Sequence, residues 1–453
     1  MPVPLLPYGF GSVAGAATFP IVTVEMQFTN AGWTDITPYV DVPHDVITIQ
    51  RGSTRVESPV IRYEGSTCSI PLMNHDRRFD PTNLAGPYVS GGKTQILPRI
   101  PVRVSATYQS LTWRLFTGYV DAWNISYAPP SDSVAAVDCS DGFRRLGAQP
   151  RAAKTTYGGG GEDAGARITR ILDDGAWPPA SRSITAGDAT MQPTLLGGTT
   201  PGVVPAAVII AGGGQFVNVA PSAATSAPLD ELQLTADTEM GEFYIDGRGF
   251  AVFRHRNGIY LDSRSVTSQA TFGDDPAVPT TELPYASAPL IYDMATLWNG
   301  ATIANQGGNL QQAFDAASQA EPPDGYGPRV YDSQNLLADS DFQALNYAQH
   351  IVATSKNPEL RFESITIDTA ADPVNLFPQI RQRDIGDRIT IKRRPPGGGA
   401  IISRDVFIRG VQHAITDSTW LTTWVLQDAT SLPQPFILGD ATNGVLGTSR
   451  LGF

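Results

Sequence analysis

Pro101-Val-Arg-Val-Ser-Ala-Thr-Tyr108, Leu111-Thr-Trp-Arg-Leu-Phe116, Tyr119-Val-Asp-Ala-Trp123 and Val134-Ala-Ala-Val-Asp-Cys139 follow one another with short breaks. Their alternation of apolar and polar side chains has the period of a pleated strand with one face buried. Further out, Ile21-Val-Thr-Val-Glu-Met-Gln-Phe28 alternates in the same way and runs into a turn at Asn30-Ala-Gly-Trp33. Val46-Ile-Thr-Ile-Gln50 and Ser66-Thr-Cys-Ser-Ile70 add two more strands, the second with Cys68 as a small core-type residue. About seven strands and no helix therefore fall between 21 and 141, which predicts one β-barrel or sandwich domain.

Helical spacing begins only beyond this block. Glu162–Leu172 places Ile168, Ile171 and Leu172 at i, i+3 and i+4, with acids in the first turn and Gly175 as a stop. A second short helix fits Leu229–Ala236 after Pro228, and a longer one fits 339–353, capped by Asp339 or Ser340, with Phe342, Leu345, Ala348 and Val352 down one side. Glu242–Asp262 contains Asp246-Gly247 and Asn257-Gly258, dipeptides suited to tight hairpin turns, and predicts a three-stranded meander. Phe362–Ile367, Arg388–Lys392, Val406–Arg409 and Trp420–Leu426 return to strands and frame a second mostly β domain, with Pro395-Pro-Gly-Gly-Gly399 as an exposed loop.

The expected organisation is an N-terminal arm (1–20), a first β domain (21–150), a connecting region (151–270), a second β domain (271–430) and a C-terminal tail (431–453). The connecting region holds short helices, the meander and a Gly/Ala-rich insertion at 190–227. That insertion contains the most apolar run of the chain, Val203-Val-Pro-Ala-Ala-Val-Ile-Ile-Ala211. It fits either a buried packing segment or an apolar loop that closes a channel or touches a membrane, carried by Val203, Val204, Pro205, Val208, Ile209 and Ile210.

Composition agrees with a turn-dense β protein. The 453 residues include 44 glycines and 36 prolines, and only 17% are charged. A net charge of −12 argues against sequence-independent binding to a phosphate backbone as the main task, and no sequence-specific nucleic-acid binding is expected. Cys68 and Cys139 are too few for a disulfide scaffold and are read as buried thiols; whether they pair is open at this level. No secretory signal or membrane-length apolar run is apparent, so synthesis in the cytoplasm is expected.

Catalytic chemistry is not indicated. His44, His75, His255, His350 and His413 are far apart and show no metal-ligand spacing, and no metal or cofactor is expected. Asn74-His-Asp-Arg-Arg-Phe-Asp-Pro-Thr-Asn83 is dense in carboxylates but lacks the acid spacing of a calcium loop; Asp76 and Asp80 beside Arg77 and Arg78 suit a self-neutralising turn. Gly158-Gly-Gly-Gly161 lacks the Lys-Ser/Thr of a phosphate loop and precedes Glu162-Asp163, which would repel an anion.

Several of these stretches, taken in order, resemble a known family. Trp33-Thr-Asp-Ile-Thr-Pro-Tyr-Val40, Ile47-Thr-Ile-Gln-Arg-Gly52, Ser69–Asn83 with Gly86-Pro-Tyr88, Pro101-Val-Arg103, Leu115–Trp123 and Asp138–Leu146 resemble the minor tail proteins of long-tailed phages of actinobacteria. Leu229–Gly241 running into Phe243–Gly249, Tyr326-Gly-Pro-Arg329 and Ile385–Ile391 resemble the baseplate-hub architecture of tail-tip proteins. The resemblance implies a mainly β, α+β fold of two tail-tube-like β-barrel domains joined by a helix and β-meander region. It also implies a non-enzymatic, homotrimeric hub at the distal end of the virion tail, adapting sixfold to threefold symmetry. Its partners would be a distal tail ring protein, a tape-measure protein and other minor tail or receptor-binding proteins. A cell-wall hydrolase and a host-glycan adhesin are the competing readings. The first is disfavoured by the lack of a catalytic constellation and the short stretch after the last hub-like strand. The second is disfavoured because the 7 Trp and 15 Tyr fall mostly in strand patterns that core packing explains.

Overall fold

The computed structural model describes residues 19–29, 32–128, 132–148, 162–185, 190–191, 227–256, 258, 262–275 and 281–429. The expectations for the N-terminal arm, the C-terminal tail and the apolar run 203–211 thus lie outside the described residues, apart from Phe19 and Pro20.

The first block is β1 (Ile21–Thr29), β2 (Gly32–Asp35), β3 (Ile47–Gly52), β4 (Glu64–Met73), β5 (Val89–Ser90), β6 (Lys93–Thr94), β7 (Pro101–Tyr108), β8 (Leu111–Ala128) and β9 (Asp132–Ser140). Alternation has the expected consequence: Val22, Val24 and Met26 of β1 and Val102, Val104 and Ala106 of β7 are fully enclosed in one core. The two short strands expected at 111–116 and 119–123 are one long strand. β8 absorbs the interruption with two bulges, leaving Leu115 unmatched against β7 and Asp121 unmatched against β9.

Helix α1 (Gly142–Ala148) closes the first block, and the connecting region contains β10 (Glu162–Asp163), α2 (Ala164–Asp174), β11 (Arg182–Ile184), β12 (Thr190–Met191), α3 (Pro228–Glu239), β13 (Glu242–Ile245), β14 (Ala251–Arg254) and α4 (Ser263–Val266). Asp163 caps α2 by accepting from Ala166 N, and Ile168, Ile171 and Leu172 face inward as their spacing requires. The meander is corrected. β13 and β14 form a hairpin whose left-handed residue is Gly249 rather than Gly247, and the third strand of that sheet is β11, parallel to β14. Gly258 lies in a helical turn instead of a hairpin.

The remaining elements are β15 (Thr271–Phe272), β16 (Leu290–Ile291), β17 (Gly300–Asn305), β18 (Gln311–Phe314), β19 (Val330–Leu336), α5 (Asp341–Ser355), β20 (Arg361–Phe362), β21 (Ser364–Asp368), α6 (Pro373–Gln382), β22 (Arg388–Arg393), β23 (Ile402–Ile415) and β24 (Trp420–Asp428). Ser340 caps α5, but its buried face is Ala344, Tyr347, Ala348, Ile351 and Val352, with Phe342 pointing to solvent. The small alanines let the helix lie close on Ala301 and Ile303 of β17, and this contact sets its rotation.

The fold is mainly β with several sheets, but none is closed into a barrel among the described residues. The physical reason is the fate of β3. One edge of β3 pairs with β4, and the other is taken by residues 410–415 of β23 rather than by the β1–β2 end of the sheet. On that same edge of β23, residues 402–407 pair with β22, so β23 passes from one partner to the other. Its opposite edge pairs with β24, whose Trp420 lies in the first core and Trp424 in the second. Strands from 21–150 and from 271–430 therefore share one twelve-stranded sheet.

His413 lies on this shared seam, opposite Ile49 of β3 and Thr422 of β24. Its Nδ1 is 3.0 Å from Thr422 Oγ1 and accepts from Trp420 Nε1 at 3.3 Å. Burial, with the Arg51 charge nearby, pushes its pKa down to about 3. A depressed histidine keeps its stabilising contribution above the unfolded value near 6.5 and loses it as pH falls from there toward 3. The wild-type advantage over His413→Asn should therefore shrink steadily across that window. Thermal midpoints of the two proteins at pH 7, 5.5 and 4 test this; a constant gap would reject it.

Candidate functional site

The carboxylate-rich loop 74–83 is a self-neutralised turn. Asn74 is enclosed and its Oδ1 accepts from Phe79 N at 2.9 Å, which folds the loop back over the core. Arg77 donates to Asp80 Oδ2 through Nε and Nη2, Arg78 pairs with Asp76, and Tyr127 OH donates to Asp80. Burial would raise the Asp80 carboxyl, but donors from Thr82, Tyr127 and Arg77 outweigh it and hold it well below the ordinary range. Phe79 sits beneath, stacked between Tyr88 and Trp123, so the turn clamps an aromatic layer. Asp80→Asn should cost about 1–3 kcal/mol through lost charged hydrogen bonds. A denaturation midpoint unchanged from wild type would show that the turn does not contribute.

The histidines do not converge. His44 is solvent-facing against Asp41, His75 is exposed, His413 is enclosed in the seam, and among the described residues no three His, Cys, Asp or Glu side chains are grouped to hold a metal. Cys68 and Cys139 are directly opposite on β4 and β9, both enclosed and both free thiols, and burial pushes each thiol above its usual range. Asp141, raised by burial to about 6, has the perturbed acidity of a catalytic acid, but its oxygens accept from Ser66 N and Phe143 N and cap α1.

The arrangement with the most concentrated chemistry is one that sequence reasoning missed. Where β23 changes partner, Arg409 is a bulge residue, left unmatched between Ile408 and Gly410 against β24. The bulge aims its side chain inward. Arg409 Nη1 donates to Glu242 Oε1 and, at 3.4 Å, to Tyr63 OH, while Nε donates to Gln427 Oε1 at 2.7 Å. Arg254 approaches the other Glu242 oxygen at 3.6 Å and donates to Ser265 Oγ at 2.7 Å. Burial disfavours the Arg409 charge, yet the facing Glu242 and Tyr63 outweigh it and raise its pKa. Burial also lifts the Tyr63 phenol above its usual range. The cluster ties β13, β14, α4, β23 and the residue just before β4 together, through residues 63, 242, 254, 265 and 409 that no sequence spacing connects.

Two open clefts lie beside this junction. One of about 630 Å³ is bounded by Tyr63, Gly65, Phe143, Ala148, Leu229 and Gln233, and one of about 360 Å³ runs along 53–58 to Asp237 and Tyr331. Arg62, paired with Asp237, borders both. What the arrangement does is hold a junction between sheets together through Arg409, Glu242 and Tyr63.

No protein-family model matches the chain, and no curated protein matches it in sequence. In fold it is similar to structures of tail proteins, one of them from a prophage. One is the 43 kDa tail protein of prophage MuSo2 from Shewanella oneidensis, with a TM-score of 0.51 and 12% identity over 90% of this chain and 97% of that one. Another is a tail protein from Neisseria meningitidis MC58, with a TM-score of 0.53 and 11% identity over 90% of this chain and 96% of that one. At such identities the likeness is one of fold.

Proposed function

We propose that this protein is a structural component of a phage tail, and within the tail the hub at its distal end. The observation that carries the reading is that its fold follows that of tail proteins over 90% of its length. In this reading the β-rich regions 21–150 and 271–430, locked together through β3 and β23, act as two tube-like units of one subunit. Three copies then form a ring that adapts a sixfold tube to threefold tip proteins, contacting the distal ring protein, the tape-measure protein and receptor-binding proteins. A net charge of −12 suits a conduit that passes DNA without retaining it. The apolar run Val203–Ala211 would close the lumen or meet the host membrane, and the 203–211 deletion is expected to leak DNA or fail at delivery; intact delivery would remove that role.

Immunogold electron microscopy on particles carrying this gene tests the location. Label confined to the distal tail end is expected. Label along the shaft would point to a tube or decoration protein, and absence of label from both intact and disrupted tips would overturn the hub reading.

A further inference from the structure

The small sheet β18–β17–β19 buries only one face. Ala301 and Ile303 of β17 pack under α5, while the opposite face carries the rows Phe314–Gly300–Val330 and Gln312–Thr302–Asp332. Large apolar side chains collect along this face and its rim: Leu310 is 51% exposed, Phe314 50%, Val330 42% and Phe342 70%. Asn309 binds the Asp341 carboxylate through both its backbone and side-chain nitrogens, which ties the start of α5 to the segment leading into β18.

β18 is also a free edge. Asp315 N donates to Asn299 O at 3.0 Å, so the pairs 301/313 and 303/311 exchange ladder hydrogen bonds in the antiparallel pattern. The backbone groups of Gln312 and Phe314 then point away from β17, and among the described residues no strand pairs with them. Gln311-Gln312-Ala313-Phe314 carries none of the charges or prolines that normally protect an edge. The surrounding sequence is strongly acidic: residues 300–345 hold Asp315, Glu321, Asp324, Asp332, Asp339 and Asp341 against the single base Arg329, and of these acids Asp315 is taken up by Lys356 at 2.7 Å. A second copy of this chain would set like charges against each other, so the surface favours a different occupant.

We propose that β18 is a docking edge for an extended polypeptide strand of a partner protein, apolar at alternate positions and flanked by lysines or arginines. The strand adds antiparallel to β18, takes its main-chain hydrogen bonds from Gln312 and Phe314, and lays its apolar side chains over Leu310 and Phe314. Its basic flanks meet the acidic surround. The proposal stands independently of the tail assignment.

The test uses the full chain and a synthetic peptide of alternating valine and threonine with two lysines at each end, followed by fluorescence anisotropy. Two controls have glutamate flanks or a central proline. The lysine-flanked peptide should bind at least tenfold more tightly than either control, and more weakly as salt is raised. Phe314→Glu should abolish the binding. So should Gln312→Pro, which removes an outward N–H without touching the ladder to β17; circular dichroism checks that both variants fold. Equal binding of the three peptides, or retention of binding by both variants, would overturn the proposal. So would self-association of the wild-type chain that Phe314→Glu disperses, because the occupant would then be a second copy.

Discussion

Glu242→Ala is expected to destabilise the protein by about 3–5 kcal/mol, because it strands the Arg409 charge in the interior without its partner. Arg409 and Glu242 are 2% and 6% exposed, so water cannot replace the lost carboxylate. The Gln427 and Tyr63 oxygens that remain are neutral acceptors and solvate a guanidinium less well. The double variant Glu242→Leu with Arg409→Met removes both charges and should recover most of the loss, since well-packed apolar replacements of a buried ion pair are often neutral or stabilising. Urea midpoints of the wild type and the two variants check this. A double variant as unstable as Glu242→Ala would mean that the bulge geometry, and not the unpaired charge, dominates.

Gly410→Ala should be comparably severe. Gly410 and Gly52 face each other where β23 leaves β22 for β3, and Ser53 N donates to Arg409 O at 2.9 Å. A Cβ on Gly410 would lie 2.0 Å from the Ser53 carbonyl oxygen. Backbone cannot swing aside as a flexible side chain can, so the seam must open, at a cost of about 3 kcal/mol or more. Gly397→Ala is the control: its φ is +92° but its Cβ would meet nothing, so it carries only left-handed strain of about 1–2 kcal/mol. Denaturation midpoints of the two variants should differ clearly, with Gly410→Ala also gaining protease cleavage between 52 and 410. Equal midpoints would show that the seam accommodates the methyl group.

Local pattern reached far in the strands. The alternation of β1, β4, β7 and β9 was legible because a strand with one wet face repeats every two residues whatever its partners. The apolar stripe and glycine stop of α2 were legible because they depend on neighbours within one or two turns, whereas Asp163, expected inside the first turn, stands before it as the N-cap. The pairing inside loop 74–83 was legible for the same reason, its charges being two or three residues apart. β17 and β19 gave no signal: Gly300-Ala-Thr-Ile-Ala-Asn305 and Val330-Tyr-Asp-Ser-Gln-Asn-Leu336 are strands because they pair with each other and, in β17, pack under α5. The rotation of α5 escaped as well, since close approach by alanines outweighed the larger apolar Phe342.

Local spacing along the chain is enough to specify a mainly β protein with capped helices and a self-neutralised acidic turn. Each follows from contacts between residues close in the chain, where spacing alone decides the geometry. That the sheet stays open among the described residues, that β3 pairs with β23 and that Arg409 meets Glu242 emerges only from long-range packing. The edge of a strand is equally ready to pair with any other, and a buried charge selects its partner by position in space. Neither choice leaves a period in the sequence.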